Sequence, residues 1–144
     1  MFDFAQLRSF VTFDKPPSGN SAVVARVKRL GFPSSGPGSL TLASTHVLDL
    51  ADFGHIKPHT DSTRFCGSIV AVLSLLSDCV ARFRHSQQKD QMVDIYIPRR
   101  SLYIMKDFSR YDFTHEILHN SESQFRGEQV TKGRRVSVIC RNEA

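Results

Sequence analysis

The sequence predicts a mainly β fold, a sandwich or barrel of jelly-roll type, preceded by one short helix. Three observations predict it. Only one early stretch carries apolar residues at helical spacing. From Leu42 onward the spacing becomes strand-like. And seven short segments rich in β-branched and aromatic residues follow one another, parted by polar turns such as SQQKD (86–90).

Taken in order, the N-terminal MFDFAQLRSFVTF shows apolar periodicity but fits neither a secretory signal nor an Arg-rich transit peptide. Two loops dense in Pro, Gly and Ser follow, DKPPSGN (14–20) and FPSSGPGS (32–39). Between them SAVVARVKRLG (21–31) is expected to be a helix, with Val23, Val24, Val27 and Leu30 on one face. Asn20 or Ser21 would cap its start and Gly31 would end it. The candidate strands are TLASTHVLDL (41–50), CGSIVAVLSLL (66–76), CVARFRH (79–85), MVDIYIP (92–98), SLYIMK (101–106), DFTHEIL (112–118) and RRVSVICR (134–141). Residues 1–40 are read as a helical and loop extension packed on a core spanning 41–144, within one structural domain.

Composition narrows the function classes. The chain has 144 residues, 40% of them hydrophobic, and a net charge of +5. That excess permits a polyanionic partner but equally describes a solvated surface. Three cysteines, with no CxxC, argue against a disulfide framework or a cysteine zinc site. The longest apolar run, IVAVLSLL (69–76), is too short for a membrane-spanning helix.

Several motifs carry chemistry. YDFTHEILHN (111–120) contains His115-Glu116-x-x-His119, a literal H-E-x-x-H. On a helix this is a zinc peptidase motif, with Glu116 as base. The flanking residues favour a strand, which would hold the two histidines about 13 Å apart. IKPHTDS (56–62) offers His59 and Asp61, which point the same way in an extended segment. Adding a remote histidine such as His115 gives a 2-His-1-carboxylate triad suited to non-haem iron. An H-x-D by itself is common by chance. In the last predicted strand, Arg135 and Arg141 are six residues apart and share a face with Ser137 and Ile139. Buried guanidiniums need anions: a dicarboxylate would serve, and so would internal Asp or Glu. Tyr103 is a mid-strand phenol that would suit a carboxylate partner or simply the core. Lys132 and Arg134 form a basic pair read as a solvated loop or as an RNA contact.

The stretches STHVLDL, GHIKPHTDSTRFCGSIVAVLSLLS, SLYIMKDFSRYDFTHEIL and GRRVSVICR together resemble the AlkB family of Fe(II)/2-oxoglutarate dioxygenases, and in particular a mitochondrial member of it. The resemblance runs from about Leu42 to Arg141 and ends in the family's R-x5-R signature. It implies a double-stranded β-helix (jelly-roll) core. It implies catalytic Fe(II) held by His59, Asp61 and His115, with 2-oxoglutarate anchored by Tyr103, Arg135 and Arg141 and with O2 as co-substrate. In the family's pattern the first arginine of R-x5-R takes the distal carboxylate. His46 matches a pocket-lining position, and His119 has no role.

The resemblance further implies oxidation of a protein or structured RNA substrate in the mitochondrial matrix, by a chain read as a monomer. Only 58 residues precede His59, and DKPPSGN offers no aromatic to stack a flipped base. A reduced nucleotide-recognition lid is therefore expected, and duplex DNA is disfavoured. The competing readings are a module that binds metal and 2-oxoglutarate without turnover, and the zinc peptidase.

Overall fold

The computed structural model describes residues 7–13, for which only the backbone path is used, and residues 18–144. Part of the first loop (14–17) and the first six residues lie outside the described residues. The strands are β1 (Leu7–Phe13), β2 (Thr45–Leu50), β3 (Ile56–His59), β4 (Ile69–Leu75), β5 (Cys79–His85), β6 (Met92–Ile97), β7 (Ser101–Lys106), β8 (Phe113–Ile117), β9 (Gln124–Phe125), β10 (Glu128–Gln129) and β11 (Arg135–Arg141). The helices are α1 (Ser21–Gly31) and α2 (Asp107–Tyr111). All seven predicted strands are present. β1, β3, the β9–β10 hairpin and α2 are additions to the sequence reading.

The strands form a jelly roll. A five-stranded sheet has the order β1-β2-β11-β4-β7, and a four-stranded sheet the order β3-β8-β5-β6. Leu48, Val70, Val72, Ala81, Phe83, Met105, Ile117 and Ile139 fill the space between the sheets. A second cluster lies on the outer side of the larger sheet, where Val24, Val27 and Phe32 cover Ile69, Ala71 and Cys140. β4 is thus buried on both faces, which is why its sequence is a continuous apolar run instead of an alternation. The break in that run is Ser74, on the same inward face as Val70 and Val72, and it is fully buried.

The helix α1 matches its expected span, but its apolar face is narrower than predicted. Val24 and Val27 are buried, whereas Val23 and Leu30 are 47% and 57% exposed. The helix rests on β4 along one stripe only, at 24, 27 and 31, so residues to either side stay in solvent. Asn20 occupies the cap position without a side-chain capping bond. Gly31 is required by proximity: a Cβ there would sit 2.8 Å from the Ala71 Cβ.

The residues FSRY (108–111), read as β-prone, instead belong to α2. Ser109 Oγ accepts from the Lys106 N–H at 3.0 Å, and this local bond closes the first turn against the strand alternative. Pro58 is tolerated within β3 because β3 is the outer strand of its sheet.

Candidate metal centre

His59, Asp61 and His115 converge at one end of the space between the sheets. β3 and β8 pair antiparallel, with His59 directly opposite His115. Directly opposed side chains in such a pair are close neighbours, and the two imidazole centroids are 4.2 Å apart. Asp61 lies two residues beyond the end of β3. Its Oδ1 is 3.5 Å from His59 Nε2 and 3.7 Å from His115 Nε2. One ligand atom from each residue falls within 4.8 Å of the others. His59 Nδ1 faces the Lys57 carbonyl at 2.9 Å, which sets the ring so that Nε2 turns inward. Phe83 stacks on His115 at 5.9 Å and fixes the other ring.

The electrostatics keep Asp61 and His115 in their coordinating forms. Burial works against the charge on Asp61, but His59 and the Arg141 guanidinium outweigh it and hold the carboxyl well below the usual carboxylate range. Burial, with His59 adding to it, pushes the His115 imidazole down to about 4, so it is neutral at pH 7. Arg141 Nε donates to Asp61 Oδ2 at 2.7 Å, leaving Oδ1 on the side of the histidines. Its Nη1 meets His46 Nδ1 at 2.8 Å. Burial and the same guanidinium lower the His46 pKa, consistent with Nδ1 as an acceptor.

The second arginine of the pair sits deeper. Arg135 is 2% exposed, and its Nε donates to Ser74 Oγ at 2.9 Å. Its Nη2 is buried and meets no acceptor among the described residues. Tyr103 faces the same guanidinium across β4; burial raises its phenol pKa, with Arg135 opposing. A single pocket is lined by His59, Asp61, His115, Tyr103, Arg135 and Arg141. Its chemistry suits a divalent ion at one end and an anion at the other: a buried cation with an unused donor is costly until a carboxylate meets it.

No family model matches the chain. Over 121 residues, 84% of this chain, it is 48% identical to "Alpha-ketoglutarate-dependent dioxygenase alkB homolog 7, mitochondrial" of Bos taurus. The chain belongs to the AlkB family. The Mus musculus protein of the same name is 46% identical over 123 residues, 85% of this chain. The AlkB-family chain spans about half the length of these curated relatives, 53% and 54%. The solved structure of OsALKBH1 superimposes with a TM-score of 0.53, covering 87% of this chain and 60% of that one. At 13% identity that likeness concerns the fold alone.

Every site residue expected from the sequence of this AlkB-family chain lies at or beside the pocket, His46 through its contact with Arg141. His119 does not join them. It follows the end of β8, its Nδ1 is 2.9 Å from Ser121 Oγ, and its ring packs edge-on against His55 at 5.5 Å. The H-E-x-x-H therefore spans a strand and a turn, with no helix to bring its two histidines together. Lys132 is also corrected. It is 1% exposed, and its Nζ donates at 2.8 Å to the carbonyls of both Ala51 and Asp52, where the chain folds back across the end of β2. Arg134 is paired with Asp49 at 2.8 Å. Arg110, Ser74 and Phe83 escaped the sequence reading. Ser74 left a visible signal, a lone polar residue at an inward position of an apolar run.

Proposed function

We propose that this chain carries the Fe(II)- and 2-oxoglutarate-dependent dioxygenase activity in its relatives' names, hydroxylating or demethylating a protein or structured RNA substrate in the mitochondrial matrix. One observation carries the reading: a three-residue His/Asp/His ligand set shares its pocket with a fully buried arginine whose Nη2 lacks an acceptor. His59, Asp61 and His115 would hold the iron, and Arg135 and Tyr103 would receive the distal carboxylate of 2-oxoglutarate. When bound, iron and co-substrate supply O2 activation, with succinate and CO2 as co-products.

The chain's own side chains do the rest. Arg141 occupies Oδ2 of Asp61 and so presents Oδ1 to the metal. His46 braces Arg141 from β2. The apolar walls from Leu48, Ile56, Val72 and Met105 limit water around the reacting groups. A facial set of three protein ligands leaves room for co-substrate and O2 together.

The test is a 2-oxoglutarate decarboxylation assay with Fe(II), run on a panel of methylated RNAs and mitochondrial proteins, comparing the parent with His59→Ala. Succinate from the parent and none from the variant is the expected result. Equal succinate from both rejects the reading. Binding of Co(II) and 2-oxoglutarate with no succinate on any substrate leaves a non-catalytic binding module.

A further inference from the structure

Asp61 raises a positional problem. β3 ends at His59, so no strand hydrogen bond holds the residues that follow. The chain from 60 to 68 contains no helix or strand, yet it carries a metal ligand whose carboxylate must be placed within a fraction of an ångström. Arg110 meets this segment from the opposite side. It lies in α2, is 2% exposed, and its donors reach four backbone carbonyls of the segment. Nη1 donates to the Asp61 carbonyl at 2.9 Å. Nη2 reaches those of Ser62 at 3.2 Å and Cys66 at 3.3 Å, and Nε reaches that of Gly67 at 3.2 Å.

A guanidinium is suited to this task because its donors are rigidly fanned in one plane. The carbonyls of Cys66 and Gly67 are buried and would otherwise lack a donor among the described residues, while that of Ser62 also accepts from the Cys66 N–H at 3.1 Å. The far end of the same segment is held from β11's side. The Gly67 N–H donates to the Asn142 carbonyl at 3.0 Å, and Asn142 Oδ1 accepts from the Ile69 N–H at 2.7 Å. Gly67 has no room for a side chain there, since a Cβ would fall 2.1 Å from the Glu143 carbonyl oxygen. Arg110 also precedes His115 by only five residues. One side chain therefore links the segment bearing Asp61 to the entry of the strand bearing His115.

We propose that Arg110 is a positioning residue for the metal centre: its guanidinium fixes the backbone at Asp61 so that the carboxylate stands between His59 and His115 before a metal arrives. The inference rests on the proposed metal-binding function and adds a residue to it. Arg110 touches neither the metal nor a substrate; it acts through the main chain of a ligand. Loss of such supporting contacts around metal sites lowers metal affinity by about 10–100-fold.

The test titrates Co(II) alone into the metal-free chain at low temperature, following the visible absorption of the bound ion, with folding checked by circular dichroism. Arg110→Lys keeps the charge but loses the planar fork. The expected result is native dichroism, a Co(II) dissociation constant raised at least about 10-fold, and altered band positions. Arg110→Gln is measured alongside it as a second variant. A folded variant of either kind that binds Co(II) as the parent does, with the same spectrum, overturns the proposal even if its melting temperature is lower. Failure of both variants to fold assigns Arg110 to folding alone and overturns it too. A parent chain that binds no Co(II), and so does not differ from His59→Ala, defeats the metal-binding function itself; this separates that failure from the failure of the Arg110 assignment.

Discussion

Replacing Arg135 by methionine separates the anchoring role proposed for this side chain from a structural one. The residue is 2% exposed, holds Ser74 Oγ through Nε, and leaves Nη2 without an acceptor. A buried donor left unmade costs about 1–3 kcal/mol. Exchange of a buried charge for an apolar side chain of similar volume is often neutral or stabilising. Ser74 keeps an interaction with Cys79 in the variant. Arg135→Met should therefore leave the ligand-free protein at least as stable as the parent. Its melting temperature should be equal or higher by a few degrees, at about 2–4 °C per kcal/mol for a chain of this size.

The co-substrate response should move the other way. At a 2-oxoglutarate concentration 100 times its dissociation constant, the parent gains about 2.7 kcal/mol, or roughly 5–10 °C. Loss of a buried charge partner weakens binding by about 2–5 kcal/mol, on the order of 30-fold or more. At the same ligand concentration the variant's gain then falls below about 1 kcal/mol. The assay is thermal unfolding with Mn(II), with and without 2-oxoglutarate. A variant that is strongly destabilised without ligand, or that keeps the parent's full ligand shift, refutes the reasoning.

Two further outcomes are expected. The His115 imidazole is held near 4 in the fold, against an ordinary value of 6.5. Between those pH values the unfolded chain carries a proton that the native one lacks, so metal-free stability is full above pH 6.5 and declines by about 3 kcal/mol as pH falls to 4. Urea unfolding of the metal-free protein across this range checks the slope, and His115→Leu should flatten it. His119→Ala should bind Co(II) as the parent does, because His119 lies beyond β8 against His55 and Ser121; a 10-fold loss of affinity would return the H-E-x-x-H to consideration.

The sequence showed the strands that have a local signature and concealed those that depend on distant partners. β4 and β11 are legible from runs of β-branched residues, and the inward alignment of Arg135, Ser137, Ile139 and Arg141 follows from the period of two. β3 is only four residues long, contains a proline, and becomes a strand because β8 lies beside it. β1 exists through its pairing with β2. The candidate metal ligands were visible as residue types at fixed offsets, but bringing His115 to His59 needs a strand register that no local pattern encodes. Arg110 was hidden for a related reason. Its partners are main-chain carbonyls 43 to 49 positions away, and carbonyls leave no trace in a sequence. Lys132 was misread because a lysine in a polar loop looks solvated until the loop is seen to fold over the end of β2.

β11 lies between β2 and β4, hydrogen-bonded on both sides, with Arg135 near its start and Arg141 at its end. The spacing between those two guanidinium-bearing positions is a property of the strand repeat, about 20 Å from Cα to Cα, and neither flank leaves it free to stretch. Arg141 grips Asp61 from one end of the strand, and Arg135 stands at a set depth behind it at the other. Under the proposed function, a diacid held at the metal end would meet Arg135 only at one length, and β11 could not shift that arginine to suit a shorter or longer one.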